Sequence, residues 1–231
     1  MIKKDSIAII PARKGSKRIP RKNIKLFYGK PIISYAIKKA RESGLFSEIL
    51  VTTDCKKTAN ISKKYGALVY FLRPKYLSND KVGTIEVISH AVNYLKKKNF
   101  FYNYVCCIYP VSPLINLRRF KSCYKILKSG KFNYVFPVSK YQKTNNTYLL
   151  LNKNRTIKKK IKTKINNFSS FLYNDTGQYY WGKFNSWLNK KKLFKSKSKV
   201  IFLPKNDFVD VNTLEDWMDL KKLYKKYSKQ K

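Results

Sequence analysis

Histidine and acid are the scarce commodities of this sequence. His90 is the only histidine, and the four cysteines (Cys55, Cys106, Cys107 and Cys123) form no C-x-x-C pair. Zinc sites need clusters of imidazole and thiolate, so a zinc centre and histidine-based catalysis are both disfavoured. Cys106 and Cys107 lie in an apolar run and read as core residues; His90 lies in a helical stretch and reads as structural. No apolar run approaches the roughly 20 residues of a membrane span. The charged start, Met1-Ile2-Lys3-Lys4-Asp5, leads into only Ile7–Ile10 and Pro11-Ala12, too short for a signal peptide. The expected location is cytoplasmic. Glycine is sparse as well: between Ala12 and Asn23 only Gly15 occurs. That excludes the G-x-x-x-x-G-K-[ST] loop and the G-x-G-x-x-G dinucleotide turn.

Acid is outnumbered by base. There are 12 Asp and Glu against 52 Lys and Arg, a formal net charge of +40. Such an excess points to nucleic acid or an anionic surface. Lysine, however, is spread along the whole chain, which is also rich in Ile, Asn, Tyr and Phe, residues that share AT-rich codons with it. The charge therefore reads as compositional drift, with nonspecific, salt-sensitive nucleic-acid binding expected either way. At 231 residues, 43% of them hydrophobic, the chain is long enough for one sizeable core.

What is present in abundance is cation around the first loop. Ile7-Ala8-Ile9-Ile10 reads as a buried strand that breaks at Pro11. From Arg13 to Lys25 there are seven Lys or Arg, and no acid falls between Asp5 and Glu42. A loop at the carboxyl end of a strand is where open α/β sheets bind ligands. Gly15 lets backbone N–H groups approach an anion, while Arg and Lys supply charge-assisted hydrogen bonds. The loop reads as a polyphosphate site gripped mainly by side chains, or else as a solvated basic loop in a basic protein.

Strands and helices then alternate. Pro31 opens a helix with Ile33, Ile37 and Ala40 on one face and Gly44 beyond its end. Strands are expected at 48–53, 67–72, 104–109 and 133–138, with helices at 58–65, 84–98 and 117–127. The pattern predicts an α/β fold: a mostly parallel sheet with helices on both faces. Residues 139–174 depart from that rhythm, being polar, Lys- and Asn-rich and weakly periodic. Further strands are expected at 177–182 and 200–203. Thr213 with Asp216 forms a capping-box variant before a last helix that buries Trp217, Leu220, Tyr224 and Tyr227. No repeat or linker divides residues 1–231 into separate domains.

The stretch Ala12-Arg13-Lys14-Gly15-Ser16-Lys17-Arg18-Ile19-Pro20-Arg21-Lys22-Asn23 resembles the nucleotide-binding loop of the acylneuraminate cytidylyltransferases, which activate acidic nine-carbon sugars as CMP-sugars. The likeness continues in order through Gly29-Lys30-Pro31, Thr52-Thr53-Asp54, Phe71-Leu72-Arg73-Pro74, Tyr109-Pro110-Val111-Ser112-Pro113 and Asp210-Val211-Asn212. Asp175-Thr176-Gly177-Gln178-Tyr179-Tyr180-Trp181-Gly182 most resembles the pseudaminic acid branch. The resemblance implies a nucleotide-diphospho-sugar transferase-like fold, CTP and a nonulosonic acid as substrates, pyrophosphate release, and Mg²⁺. It also implies a homodimer in which 139–174 is a dimerisation excursion reaching into the partner's sugar site; without the resemblance, that segment is a long surface excursion.

By the same resemblance, Arg13 and Lys22 hold the triphosphate. Ala12, Gly15, Ser16 and Asn23 shape the loop or approach the nucleotide. Arg73 lies near the cytosine, Thr84 supplies a small hydroxyl, and Gln178 belongs to a substrate-side segment. Read without the resemblance, Arg73 before a proline is equally a structural turn residue, and Asp210 a strand-end residue before the last helix. The family's D-x-D metal pair stands here as Asp210-Val211-Asn212, so Asn212 offers a neutral oxygen where a carboxylate is usual and should hold Mg²⁺ more weakly. Asp175 and Asp207 are further carboxylates in the same region. Tyr109 stands where the family often has glutamine near the reacting sugar. The family's arginine for the sugar carboxylate has no clean match; Lys164 is the nearest cation, in an alignment that needs a gap, and it lacks the bidentate grip of arginine. The rivals are a legionaminic or sialic acid synthetase, a catalytically weak homologue binding nucleotides or polyanions, and a nucleic-acid-binding protein favoured by charge alone.

Overall fold

The run Ile7–Ile10 lies in β1 (Lys4–Pro11), and all four residues are fully buried. The cause is position. In this computed structural model, which describes residues 4–140, 147–162 and 172–229, β1 runs parallel to β4 (Glu48–Thr52) on one side and β5 (Tyr102–Ile108) on the other. A central parallel strand is covered on both faces and so reads as an unbroken apolar run. Between β1 and β4 come a two-residue hairpin, β2 (Leu26–Phe27) and β3 (Lys30–Pro31), and α1 (Ile32–Glu42).

Side-chain alternation along β1 divides the interior into two layers. Ala8 and Ile10 face Ile33, Ala36, Ile37 and Ala40 of α1, and Phe120, Cys123 and Leu127 of α4 (Leu117–Lys128). Ile7 and Ile9 face Ile88, Ala91, Val92 and Leu95 of α3 (Thr84–Lys97). Cys106 and Cys107 follow the same alternation into opposite layers, and all four cysteines are free. His90, on α3, packs its ring edge-on to Phe71 at 5.1 Å. Burial, reinforced by the charge of Arg73, pulls its pKa down, as befits a structural residue. The second helix, α2 (Lys56–Lys64), follows β4.

The strand expected at 67–72 is reduced to single bridges, Leu68 to Leu50 and Leu72 to Thr53. Leu68 and Leu72 are exposed, so no second face anchors a longer ladder, and Pro74 removes the next donor. The other half of the sheet is mixed. β10 (Tyr179–Lys183) runs antiparallel to β5 and to β6 (Tyr134–Lys140), and β11 (Ser198–Phe202) runs parallel to β6. A short helix missed in the sequence, α5 (Phe184–Leu188), follows β10; five residues are too few to show a period. Gly182 of β10 admits no side chain, because a Cβ there would run into Trp187 and Tyr134.

The described parts of the 139–174 excursion are mainly sheet. β7 (Thr147–Leu151), β8 (Ile157–Lys162) and β9 (Leu172–Asp175) extend the same sheet, which among the described residues has nine strands in the order β4-β1-β5-β10-β6-β9-β7-β8 with β11 also on β6. β9 and β10 both pair with β6, but out of step: Val138 faces Asp175, whereas Val135 faces Trp181. Thr176–Gln178 therefore bulges away from β6. The cause is Pro137, whose polar face points at the bulge, where its carbonyl accepts from Thr176 Oγ1 at 3.2 Å. With no N–H to give, Pro137 cannot support a continuous ladder.

A third apolar cluster joins Ile19 of the basic loop and Phe27 to Val211, Trp217 and Leu220 beneath α6 (Leu214–Lys229). The expected cap is present: Thr213 Oγ1 accepts from Asp216 N at 3.2 Å, and Asp216 Oδ2 accepts from Thr213 N at 2.7 Å and Asn212 N at 2.8 Å. Asp216 thereby fixes the segment carrying Asp210 and Asn212. Among the described residues, no helix is long and apolar enough to cross a membrane.

Candidate active site

A cleft of about 990 Å³ opens at the carboxyl ends of β1 and β5. The loop after β1 supplies Arg13, Gly15, Ser16, Lys17, Arg18, Lys22 and Asn23; the segment before α3 supplies Arg73, Asp80 and Gly83; α3 begins with Thr84. Tyr109 comes from the end of β5, Asp175 and Gly177 from the bulge, Asp210 and Asn212 from the segment before α6. Thr147, Leu149 and Lys160 of β7 and β8 complete the wall, so the excursion lines the cleft of its own chain.

The loop is braced from several directions. Asn23 Nδ2 donates to Arg13 O at 3.0 Å, Lys14 N donates to Asp54 Oδ1 at 2.7 Å, and Lys22 Nζ donates to Val211 O at 2.6 Å. Burial pulls the Lys22 pKa down, Asp210 opposes that, and Arg18 and Arg13 add to it. No Cβ added at Gly15 would meet anything within 4 Å, so the loop is open where an anion would approach. Arg13 pairs with Asp80, and Lys17 pairs with the same carboxylate at 3.0 Å. The hydrogen bond from Arg13 leads the causes that hold the Asp80 carboxyl below its usual range.

Arg73 is nearly buried, its Nε donating to Ser78 Oγ at 3.1 Å and its backbone N to Thr53 O at 2.7 Å. It is thus both a turn residue and a cleft residue. Thr84 and Tyr109 share a hydrogen bond between their hydroxyls. Tyr109 therefore offers the cleft its ring, and burial pushes its phenol well up from the ordinary value.

Asp175 is held at both oxygens. Gly177 N donates to Oδ1 at 3.1 Å, and the Tyr180 hydroxyl donates to Oδ2. Burial pushes its carboxyl up to about 6, against those two hydrogen bonds, with the charge of Asp210 adding to the rise. Asp210 is open to the cleft but crowded, and that crowding raises its pKa against Asn212 and Lys22. A Cβ on Gly177 would lie 3.7 Å from Asp210 Oδ1.

For a divalent cation the fit is simple. Among the described residues no three His, Cys, Asp or Glu gather as a ready-made site. Mg²⁺ is commonly held by one or two carboxylates together with substrate phosphates and water. Asp210, a crowded carboxylate facing the basic loop, suits that mode. Asn212 Oδ1 instead accepts from Arg18 at 2.9 Å, and its amide nitrogen lies 3.5 Å from Asp210 O.

Two residues expected in the site lie outside the cleft. Ala12 is buried in the core, its N–H given to Thr52 O at 2.9 Å. Gln178 is buried behind the bulge, donating to Asp207 O at 3.0 Å while its own carbonyl accepts from Tyr109 N and Ser112 Oγ. Asp207 pairs with Arg119 at 3.6 Å, away from the cleft. Lys164 lies outside the described residues. Lys17, Arg18, Asp80 and Lys160 line the cleft without having been singled out as site residues, and so does Asp175, named earlier only as a further carboxylate. Pro137 was the visible sign of the bulge that carries Asp175; nothing local marks Asp80 or Lys160.

Comparison with known proteins gives the chain a family and its fold a set of neighbours. The family model described as cytidylyltransferase matches residues 7–199. A pseudaminic acid cytidylyltransferase of Campylobacter jejuni subsp. jejuni serotype O:2 is 36% identical, covering 95% of this chain and 96% of that protein. An N-acylneuraminate cytidylyltransferase of Escherichia coli O18:K1:H7 is 28% identical over 91% of this chain and 50% of its own length. Among solved structures, a CMP:2-keto-3-deoxy-manno-octonic acid synthetase complexed with CTP superposes with a TM-score of 0.77 at 15% identity, covering 96% of this chain and 99% of that one. At that identity the likeness speaks for the fold.

Proposed function

The chain belongs to the cytidylyltransferase family and is a nucleotidyltransferase, and from that premise we propose that it transfers CMP from CTP to an acidic nine-carbon sugar, pseudaminic acid. The sugar's anomeric hydroxyl attacks the α-phosphorus in line and gives up its proton to water, a new O–P bond forms, the bond to the bridging oxygen breaks, and pyrophosphate leaves. The observation that carries the reading is one cleft in which Arg13, Lys17, Arg18 and Lys22 face Asp175, Asp210 and Tyr109. Such chemistry depends on positioning and on neutralising phosphate charge rather than on a histidine or a cysteine.

In this reading Arg13 leaves Asp80 and grips the triphosphate with its planar guanidinium, while Lys22 adds a point charge. Gly15 and Ser16 give the phosphates room and N–H groups; Asn23 holds the loop's shape through Arg13 O. Arg73 and Thr84 border the nucleoside. Tyr109 forms a wall between the nucleotide and the sugar. Asp210 would hold Mg²⁺, which when bound lowers the charge the nucleophile meets on the phosphates. Asn212 clamps Arg18 and would have to release it to serve as a second oxygen ligand. The reading includes a homodimer built on the 139–174 excursion and a cytoplasmic location.

The test is pyrophosphate release with CTP or UTP over a panel of acidic sugars at near-physiological salt. Release with CTP and pseudaminic acid above all other pairs is expected. Preference for a legionaminic or sialic acid moves the assignment within the family. Binding of CTP without turnover of any sugar rejects the reaction.

A further inference from the structure

Asp175 lines the cleft but is given no role in the reaction as just described, although protein donors hold both of its oxygens. It ends β9 at the edge of the bulge opposite Pro137. Gly177 N–H fixes one carboxylate oxygen and the Tyr180 hydroxyl the other. Tyr180 is buried, with its ring edge-on to Tyr109 at 5.8 Å, and Tyr109 is tied in turn to Thr84. A chain of hydroxyls and rings thus runs from the start of α3 to Asp175 and leaves the carboxylate little freedom.

A desolvated acid is costly where both substrates are anions, unless a ligand gives it a hydrogen bond or a positive charge. A carboxylate has about four lone-pair sites, and the two protein donors leave some of them to face the cleft. The surroundings indicate which substrate approaches. Leu149 of β7 pairs with Tyr173 of β9 and with Lys160 of β8, and the Lys160 ammonium sits 4.6 Å from the Phe194 ring centroid. Asp175 therefore stands beside an apolar patch of Leu149 and Phe194 with one cation near it, unlike the basic loop that suits the triphosphate.

We propose that Asp175 is a specificity-determining residue that reads the sugar: its carboxylate accepts a hydrogen bond from a hydroxyl or amide N–H of the acidic sugar. Tyr180 and Gly177 are the positioning residues that aim it. The inference rests on the proposed reaction and adds to it the contact that selects among acidic sugars.

The test compares wild type, Asp175→Ala, Asp175→Asn and Tyr180→Phe by initial rates against each substrate, with CTP binding measured by calorimetry in Mg²⁺. Asp175→Ala should raise the KM for the sugar by at least about tenfold, the scale of losing one hydrogen bond to a charged acceptor. The CTP dissociation constant should stay within about twofold, which also shows that the variant folds. Asp175→Asn keeps the shape but exchanges one acceptor for a donor, so it should reorder the preference among acidic sugars. Tyr180→Phe should act in the same direction as Asp175→Ala and more weakly. An unchanged sugar KM in a CTP-binding Asp175→Ala variant overturns the proposal. So does a rise in the Mg²⁺ needed for half-maximal rate with sugar KM constant, which would make Asp175 a cation ligand beside Asp210. A wild type inert toward every acidic sugar overturns the reaction and this inference together, whereas failure in the variants alone leaves the reaction standing.

Discussion

Arg13 and Asp175 carry opposite charges into one cleft, and each makes a separable prediction. Arg13 is expected to stabilise the triphosphate more in the transition state than in the ground state. Arg13→Ala should lower kcat/KM by at least ~100-fold, about 2.7 kcal/mol. Lys14→Ala is the control: Lys14 meets Asp54 through its backbone and its side chain does not line the cleft, so its kinetics should stay near wild type. Equal kinetics for Arg13→Ala would remove the loop from the site. The prediction for Asp175 concerns stability. Its folded pKa of about 6 exceeds the ordinary 3.8, so the folded state binds the proton more tightly than the unfolded chain does. That contribution is complete below the unfolded value and is lost as pH rises through the folded one. Between pH 4 and 7 the wild type should therefore lose melting temperature relative to Asp175→Asn, which has no proton to release. Parallel curves would show that the acid is not desolvated.

At the scale of elements, the segment from Leu77 to Gly83 lies across the cleft from the basic loop, with Asp80 bridging to Arg13 and Lys17. CTP must displace this carboxylate to reach the same cations. Asp80→Asn should tighten CTP binding by no more than about fivefold, because an exposed, solvent-screened ion pair is weak. Weaker binding by calorimetry would mean that Asp80 helps to hold the nucleotide. This bridge also shows the limit of sequence reading, since Arg13 and Asp80 are 67 residues apart with no shared pattern. Local periodicity made β1, α1, α3, α4 and α6 legible, and capping chemistry placed the start of α6. Ala12 and Gln178 each sit beside cleft-lining residues in sequence, yet both side chains are buried away from the cleft. Residues 67–72 had strand composition, but with Leu68 and Leu72 exposed they form only single bridges to Leu50 and Thr53. The strands of the excursion escaped because their lysines hide the alternation; β8 carries Lys158, Lys159, Lys160 and Lys162 in six residues.

For the whole molecule, β8 ends the sheet order, and the excursion that contains it is the proposed dimer contact. Light scattering at micromolar protein and high salt should give twice the 27.3 kDa chain mass. A monomer under those conditions would reject the dimer, and high salt matters because like charges on two +40 chains repel at low ionic strength. Among the described residues, Arg13, Lys17, Arg18, Lys22, Arg73 and Lys160 line the cleft with positive charge, which has a consequence for timing. A field that draws anions in quickly also delays their departure, and both products of the proposed reaction are anions. Pyrophosphate, with charge concentrated on few atoms, would leave more slowly than the CMP-sugar. Exit is then a step that the cleft itself slows, and Asp80, returning to Arg13 and Lys17 as the pyrophosphate departs, is the acid placed to hasten it.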